Sequence, residues 1–301
     1  MNKMVKKAIK DGVNVFFAPA ASCLLGNANI PDGCKVIYLS DTTYHLMLDY
    51  YFFNVSKSDE KHFNNAELNA QNKATDIIFS SNWARDDAIA YYGTNEDKIH
   101  VLPFGANLKD EYVPKKKIKD KKRINILFVG VDWERKGTDL AIGCVDKLNK
   151  MKTDFHFELN IIGLDKPNDR GFGDEVHFIG KLNKNNDVEL EKMINYYQKS
   201  DIFGVPTKAE CAGIVFAEAS MYELPIFTHN TGGVMTYVDD GKTGRGLEIE
   251  STENDFADVI LQILDEGKYL EWSLNTRGKY ERELNWDKWY ADFKEIVESH
   301  I

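Results

Sequence analysis

Residues 209–226 read Ala209-Glu-Cys-Ala-Gly-Ile-Val-Phe-Ala-Glu218-Ala-Ser-Met-Tyr-Glu-Leu-Pro-Ile226. Two glutamates, Glu210 and Glu218, bracket seven residues, and a helix-forming run begins just after Gly213. The short apolar run Asp201–Pro206 comes before this stretch, and a second, Leu224–Thr228, follows it and leads into Thr231-Gly232-Gly233. Strand, loop, helix and strand in that order form one layer of a parallel α/β sheet. The order puts Glu210 in a strand-end loop and Glu218 about one turn inside the helix. Amide groups at the helix start then lack intrahelical partners, which favours an anion there.

Working outward, apolar runs of four to seven residues alternate with longer stretches of helical period along the whole chain. In the first third the expected strands are Val13–Ala18, Lys35–Leu39, Asp76–Ser80 and Lys98–Leu102, separated by helices near Tyr44–Phe53, His62–Asn72 and Asn82–Tyr92. A second series begins at Ile124, with strands at Asn125–Val129, Phe157–Ile162, Val176–Ile179, Ile202–Val205 and Leu224–Thr228. Its helices fall near Gly137–Met151, Asn186–Lys199 and Gly213–Tyr222, and the end is helical over Asn254–Asp265, Lys268–Glu283 and Trp286–Ser299. Between the two series, residues 109–123 are polar and lysine-dense, which suits a solvated linker. The reading is therefore α/β with two Rossmann-like domains: 1–108, then a linker at 109–123, a second domain at 124–283, and a helix at 284–301 that crosses back to the first.

A self-contained doubly wound domain opens with a central strand and a glycine-rich turn. This chain opens with a short basic helix followed by Val13–Ala18. The first domain is thus expected to be partial by two or three strand–helix units. An open sheet edge invites pairing with another chain, so a homo-oligomer, or a partner chain completing that domain, is expected.

Bulk properties exclude several classes. The chain has 301 residues, 43% of them hydrophobic, and a net charge of −10, which does not fit a protein that coats nucleic acid. No apolar run approaches the roughly 20 residues of a membrane-spanning helix. The four cysteines, Cys23, Cys34, Cys144 and Cys211, show no C-x-x-C spacing and read as reduced thiols of a cytoplasmic protein. The seven histidines show no metal-ligand spacing, so no metal is expected.

A second stretch carries charge chemistry: Leu127-Phe-Val-Gly130-Val-Asp-Trp-Glu-Arg135-Lys136-Gly137-Thr-Asp139. A buried strand ends at Gly130, and Arg135-Lys136-Gly137 open a helix. Cations at a helix N-terminus oppose its dipole. A bound phosphate reverses that sign, because dipole, amides and both cations then converge on one anion. The bland alternative is a solvated Arg-Lys pair. Glu210 and Glu218 likewise have three readings: a glycosidase pair, a surface and a capping glutamate, or two acceptors for sugar hydroxyls. Residues eight apart on one helix are separated by about 12 Å, beyond the roughly 5–9.5 Å of hydrolase carboxylates.

On these residues the chain resembles the family 4 glycosyltransferases, retaining and metal-independent enzymes of GT-B fold. The matching elements are Phe128-Val-Gly130 with Arg135-Lys136-Gly137, Ile161-Ile-Gly163, Val176-His-Phe-Ile-Gly180, Glu210 through Glu218, Leu224-Pro225 through Gly233, and Asp240-Gly-Lys-Thr-Gly244. Earlier, Ala74–Ser81 and Asp97–Asn107 stand where that family has the end of its first domain.

The resemblance implies roles. Glu218 would hold the nucleotide ribose and Glu210 the transferred sugar. The Gly213, Ile214 and Val215 amides would face the distal phosphate and sugar. Arg135 and Lys136 would neutralise the diphosphate, with no further cofactor. Gly130 ends the strand before the cationic loop, the base would lie near Gly163 and Gly180-Lys181, and Gly232 and Gly233 permit close backbone approach. Many relatives have arginine where this chain has Val131, a place Arg135 would fill. Where the family often has a histidine at a strand end, Asp41 stands here. His45 and the aromatic run Tyr50–Phe53 read as structural and core residues.

The function so implied is transfer of a hexose from a UDP- or GDP-sugar to a glycan or lipid hydroxyl. The expected site is cytoplasmic, with a peripheral position at the inner membrane face. Two other classes stand beside it: a non-catalytic or partner-dependent nucleotide-sugar-binding fragment, and another GT-B enzyme such as a nucleotide-sugar epimerase.

Overall fold

The computed structural model describes residues 2–110 and 122–299, so most of the lysine-rich stretch lies outside the described residues. The chain divides into two compact units, Met1–Phe104 with Trp286–Ile301, and Gly105–Asn285.

The first unit runs α1 (Asn2–Lys10), β1 (Val15–Pro19), α2 (Ser22–Gly26), β2 (Lys35–Ser40), α3 (Tyr44–Met47), α4 (Lys57–Lys73), β3 (Asp76–Phe79), α5 (Asn82–Ala90) and β4 (Ile99–Val101). Its strands form a parallel sheet in the order β1-β2-β3-β4, with Ile37 opposite both Phe17 and Asp76. Polar caps start the helices. The Ser56 hydroxyl accepts from the Asp59 amide at 3.1 Å and the Ser81 hydroxyl from the Ala84 amide at 3.3 Å, each filling an orphan donor of the first turn. On one face Val36, Tyr38, Ile77 and Phe79 pack with Leu25, Ala70, Ala84 and Ala88 from α2, α4 and α5, and with Ala74 just past the end of α4.

The second unit runs β5 (Arg123–Val129), α6 (Thr138–Lys150), β6 (His156–Ile162), β7 (Val176–Gly180), α7 (Asp187–Lys199), β8 (Ile202–Val205), α8 (Ile214–Met221), β9 (Ile226–His229), α9 (Val234–Tyr237), β10 (Gly244–Leu247), α10 (Glu253–Asp265) and α11 (Tyr269–Glu283). All strands are parallel, in the order β10-β9-β8-β5-β6-β7. Every residue of β8 and β9 is buried, as strands covered by helices on both faces must be. This core includes Phe128, Phe157, Phe203, Phe216 and Phe227. The final helix, α12 (Trp286–Glu298), belongs to the first unit. There Ile296, Phe293 and Trp289 cover Ile37, Ile78 and Leu102 on the other face of the first sheet.

The helix expected over Tyr44–Phe53 stops at Met47. Asp49 and Asn54 take left-handed φ angles of 56° and 59°, and the Tyr51 and Phe52 amides turn back to the Met47 carbonyl at 3.0 and 2.8 Å. A helix cannot run through that turn, so Tyr50–Phe53 are not core residues, and Phe52 and Phe53 are 43% and 65% exposed. Strand β10 escaped the sequence reading because Gly-Arg-Gly-Leu offers no apolar run.

Candidate functional site

The second sheet changes direction at β5. The chain moves outward through β6 and β7, then returns to place β8 on the other side of β5. Where strand order reverses, the loops leaving two neighbouring strands diverge and open a crevice at their carboxyl ends, the usual ligand position in such sheets. Here those loops are 130–137 after β5 and 206–213 after β8, the two stretches that carry Arg135, Lys136 and Glu210.

The first loop is wound on its own backbone. The Asp132 carboxylate accepts from the Arg135 amide at 2.9 Å and the Asp132 carbonyl from the Lys136 amide at 3.1 Å. Gly137 closes the turn with φ 70°, where an added Cβ would lie 2.2 Å from the Pro206 carbonyl oxygen. The loop from β5 is thereby clamped to the loop from β8. The Lys208 amide donates to the Arg135 carbonyl at 2.7 Å, and the Arg135 guanidinium donates to the Ala209 carbonyl at 3.0 Å. Lys136 is buried and forms an ion pair with Glu210, whose carboxylate is also 4.0 Å from Arg135. The Gly233 amide donates to the Glu210 carbonyl at 2.9 Å, and the Thr231 hydroxyl to the Lys208 carbonyl at 3.2 Å. The loop of Thr231, Gly232 and Gly233 thus joins the same group.

Glu218 lies deeper. It sits on α8 with no solvent exposure. Tyr197 of α7 donates its hydroxyl to one carboxylate oxygen at 2.9 Å, and Lys184 forms an ion pair with the other. Burial, then the Glu218 charge, pushes the Tyr197 hydroxyl well above its usual pKa, so it stays a donor. Neither Lys184 nor Tyr197 was among the expected site residues. Lys184 stands in the polar run Asn183-Lys-Asn-Asn186, which carries no local sign of its partner. Tyr197 shares a helical stripe with Met193 and Ile194, and that stripe was the available signal.

Gly130, Gly163 and Gly180 occupy the ends of three neighbouring strands. Gly163 has φ 106°, its amide donates to the Gly180 carbonyl at 2.9 Å, and an added Cβ would lie 2.2 Å from the Gly130 carbonyl oxygen. These glycines let the strand ends close on one another. Lys181 is exposed just beyond Gly180. At the start of α8, Gly213 is the cap, the Ile214 amide turns to the Ala212 carbonyl at 3.0 Å, and Val215 is half-buried. Beside the cationic loop, Trp133 stacks on Phe178 with centroids 6.1 Å apart, and Arg170 lies 4.6 Å over its ring. Burial raises the Asp139 carboxyl, but hydrogen bonds from Trp133 and Arg170 and the Arg170 charge outweigh it and hold the group below its ordinary value.

Asp41 belongs to the first unit, at the carboxyl end of β2, and burial raises its carboxyl above the usual range. His45 is held by Asp87 at 2.7 Å and stacked on Tyr91 at 3.6 Å. Among the described residues, no group of three or more His, Cys, Asp or Glu side chains is placed to hold a metal ion. No helix there is long and apolar enough to cross a membrane.

The second unit therefore brings Arg135, Lys136 and Glu210 together on the loops at the switch point, with Glu218 buried on α8 of the same unit. Ammonium and guanidinium groups suit phosphate, and carboxylates accept from hydroxyls. The chain was compared with known proteins. Over 96–99% of its length the chain is similar to sucrose-phosphate synthase from Thermosynechococcus elongatus (TM-score 0.70, 17% identity, 77% of that chain) and to WaaG, a glycosyltransferase involved in lipopolysaccharide biosynthesis (TM-score 0.63, 20% identity, 79% of that chain). Both parallel sheets match the GT-B architecture of such structures. It is similar as well to Anabaena HepE, whose structure is a complex with UDP (TM-score 0.68, 13% identity, 99% of this chain and 81% of that one). In sequence, 69% of the chain matches 58% of the lipopolysaccharide glucosyltransferase WaaG of Escherichia coli K12 at 25% identity. The chain spans about half the length of the first curated relatives it matches, 54% and 47%. The model of the family described as "Glycosyl transferases group 1" matches residues 109–279, more than half of the 301. The chain belongs to the group 1 glycosyl transferases.

Proposed function

We propose that this chain is a retaining glycosyltransferase that moves a hexose from a UDP- or GDP-sugar to a hydroxyl of a glycan or lipid. The observation that carries the reading is the meeting of Arg135, Lys136 and Glu210 at the switch-point crevice, with Glu218 buried in the same unit. On donor binding, Lys136 exchanges Glu210 for the diphosphate, and Glu210 turns to the sugar hydroxyls. Charge then accumulates on the departing nucleoside diphosphate. Two fixed cations and the start of α8 stabilise it, and such preorganised charge is the main lever on the barrier. No metal and no cofactor beyond the donor enter this scheme. Glu218 accepts from the ribose, and Gly163, Gly180 and Lys181 border the base. The reading includes a cytoplasmic enzyme, peripheral at the inner membrane face, that works with a second copy or a partner chain.

The HepE complex with UDP supports a uridine donor, and WaaG, named as a lipopolysaccharide glucosyltransferase, supports a glycan or lipid acceptor. A second reading, a partner-dependent donor-binding fragment, rests on the half-length match to curated relatives. Calorimetry with UDP- and GDP-sugars on the wild type and Glu218→Ala tests the site, and unchanged affinity in the variant would refute it. Turnover of the donor by the purified chain separates the two readings.

A further inference from the structure

Helix α1 is sharply two-sided. At about 100° per residue, Lys3, Lys6, Lys7 and Lys10 fall on one narrow arc, and all four are exposed. On the opposite side Val5 is buried, and Ala8 and Ile9 are half-buried. The Asn2 side chain accepts from the Asn29 amide at 3.0 Å, which pins the first turn to the body of the unit. The apolar side is thus taken up by the protein itself, and the lysine side faces outward. The helix carries no acidic residue in its sequence NKMVKKAIK, and Met4, at the border of the lysine arc, is 75% exposed.

Lys7 and Lys10 complement the negative end of the helix dipole, but Lys3 and Lys6 near its start oppose it. Helix stability does not explain them. Four cations on one stripe are also unusual in a chain of net charge −10. The stripe from Lys3 to Lys10 is straight and about 10 Å long, which suits a flat anionic surface. It holds no arginine or aromatic side chain, the groups that stack on nucleic-acid bases. A basic helix face bordered by an exposed apolar side chain is instead the pattern of interfacial binding.

We propose that α1 docks the protein on an anionic lipid bilayer, with Lys3, Lys6, Lys7 and Lys10 on the headgroups and Met4 at the acyl boundary. This deepens the peripheral location within the proposed function, but it does not depend on the transfer reaction.

The test is sedimentation of the full chain with phosphatidylcholine vesicles, alone or with about one third phosphatidylglycerol, at low and high salt. Binding is expected only to the anionic vesicles and is expected to fall with salt. The K3Q/K6Q/K7Q/K10Q variant should lose on the order of a hundredfold or more, because each lysine near such a surface contributes roughly fivefold. If that variant melts early, the K3Q/K7Q pair should still lose roughly twentyfold. Met4→Ser should weaken binding a few-fold. Equal binding to both vesicle types, wild-type binding by the lysine variants, or preference for a DNA oligonucleotide over anionic vesicles would each overturn the proposal. The thermal shift with UDP should be unchanged in these variants, so loss of vesicle binding and loss of donor binding are read separately.

Discussion

Tyr197 donates its hydroxyl at 2.9 Å to Glu218, a carboxylate with no solvent exposure that is also paired with Lys184. A buried carboxylate held from two sides has a fixed position, which is what the proposed ribose-binding role asks of it. Glu218→Gln keeps the size and removes the charge. We expect it to weaken UDP-sugar binding by roughly 10- to 100-fold, the worth of a hydrogen bond to a charged group, as measured by calorimetry. Tyr197→Phe should weaken binding less, because Lys184 still holds the carboxylate.

Lys136 is expected to act on charge that develops during reaction. Lys136→Met should lower kcat by about 10²–10³, the loss seen when a preorganised stabilising group is removed, while KM changes little. A fall confined to KM would instead make Lys136 a ground-state binding group.

Most of the fold could be read from the residues alone, and so could the two loops of the candidate site that carry Arg135, Lys136 and Glu210. Strands such as Ile202–Val205 are continuous apolar runs because both faces are covered, so composition marks them directly. The E-x7-E segment and Arg135-Lys136-Gly137 were visible because each is local in sequence. Lys184 was not, because its pairing with Glu218 joins residues 34 apart through a loop without periodicity. The turn at Tyr50–Phe53 was misread as helix because aromatic and leucine residues hide the two left-handed positions, Asp49 and Asn54.

Gly163→Ala should be a stability variant. The residue has φ 106°, and the added methyl would lie 2.2 Å from the Gly130 carbonyl oxygen. A cost of roughly 1–3 kcal/mol is expected for such a backbone position, with a lower Tm by calorimetry. Gly171, with nothing within 4 Å of an added Cβ, is the control, and Gly171→Ala should leave Tm nearly unchanged.

His229 gives a pH dependence. Burial holds its imidazole below the ordinary value of 6.5. The unfolded chain then binds the proton more readily than the folded one, so stability is full above about pH 6.5 and declines as pH falls toward the folded pKa. The slope is at most about 1.4 kcal/mol per pH unit for one proton. Denaturant melts of the wild type and His229→Gln from pH 7.5 to 5.5 should show a smaller decline in the variant.

The thiols should separate by reactivity. Cys23 is exposed, whereas Cys144 is buried and its pKa is pushed up to about 12 by burial, aided by the Glu253 charge. A thiol reagent at pH 8 should label Cys23 rapidly and leave Cys144 untouched until the protein unfolds.

The placement of α12 also has a consequence for synthesis. The strands β1 to β4 leave the ribosome early, but the side chains that cover Ile37, Ile78 and Leu102 are Trp289, Phe293 and Ile296. Until translation reaches them, that face of the first sheet stays bare while the whole second unit emerges and folds. A nascent chain stalled before Trp286 should therefore be a chaperone client, its early sheet open to aggregation, and release of the last helix should be the step that frees it.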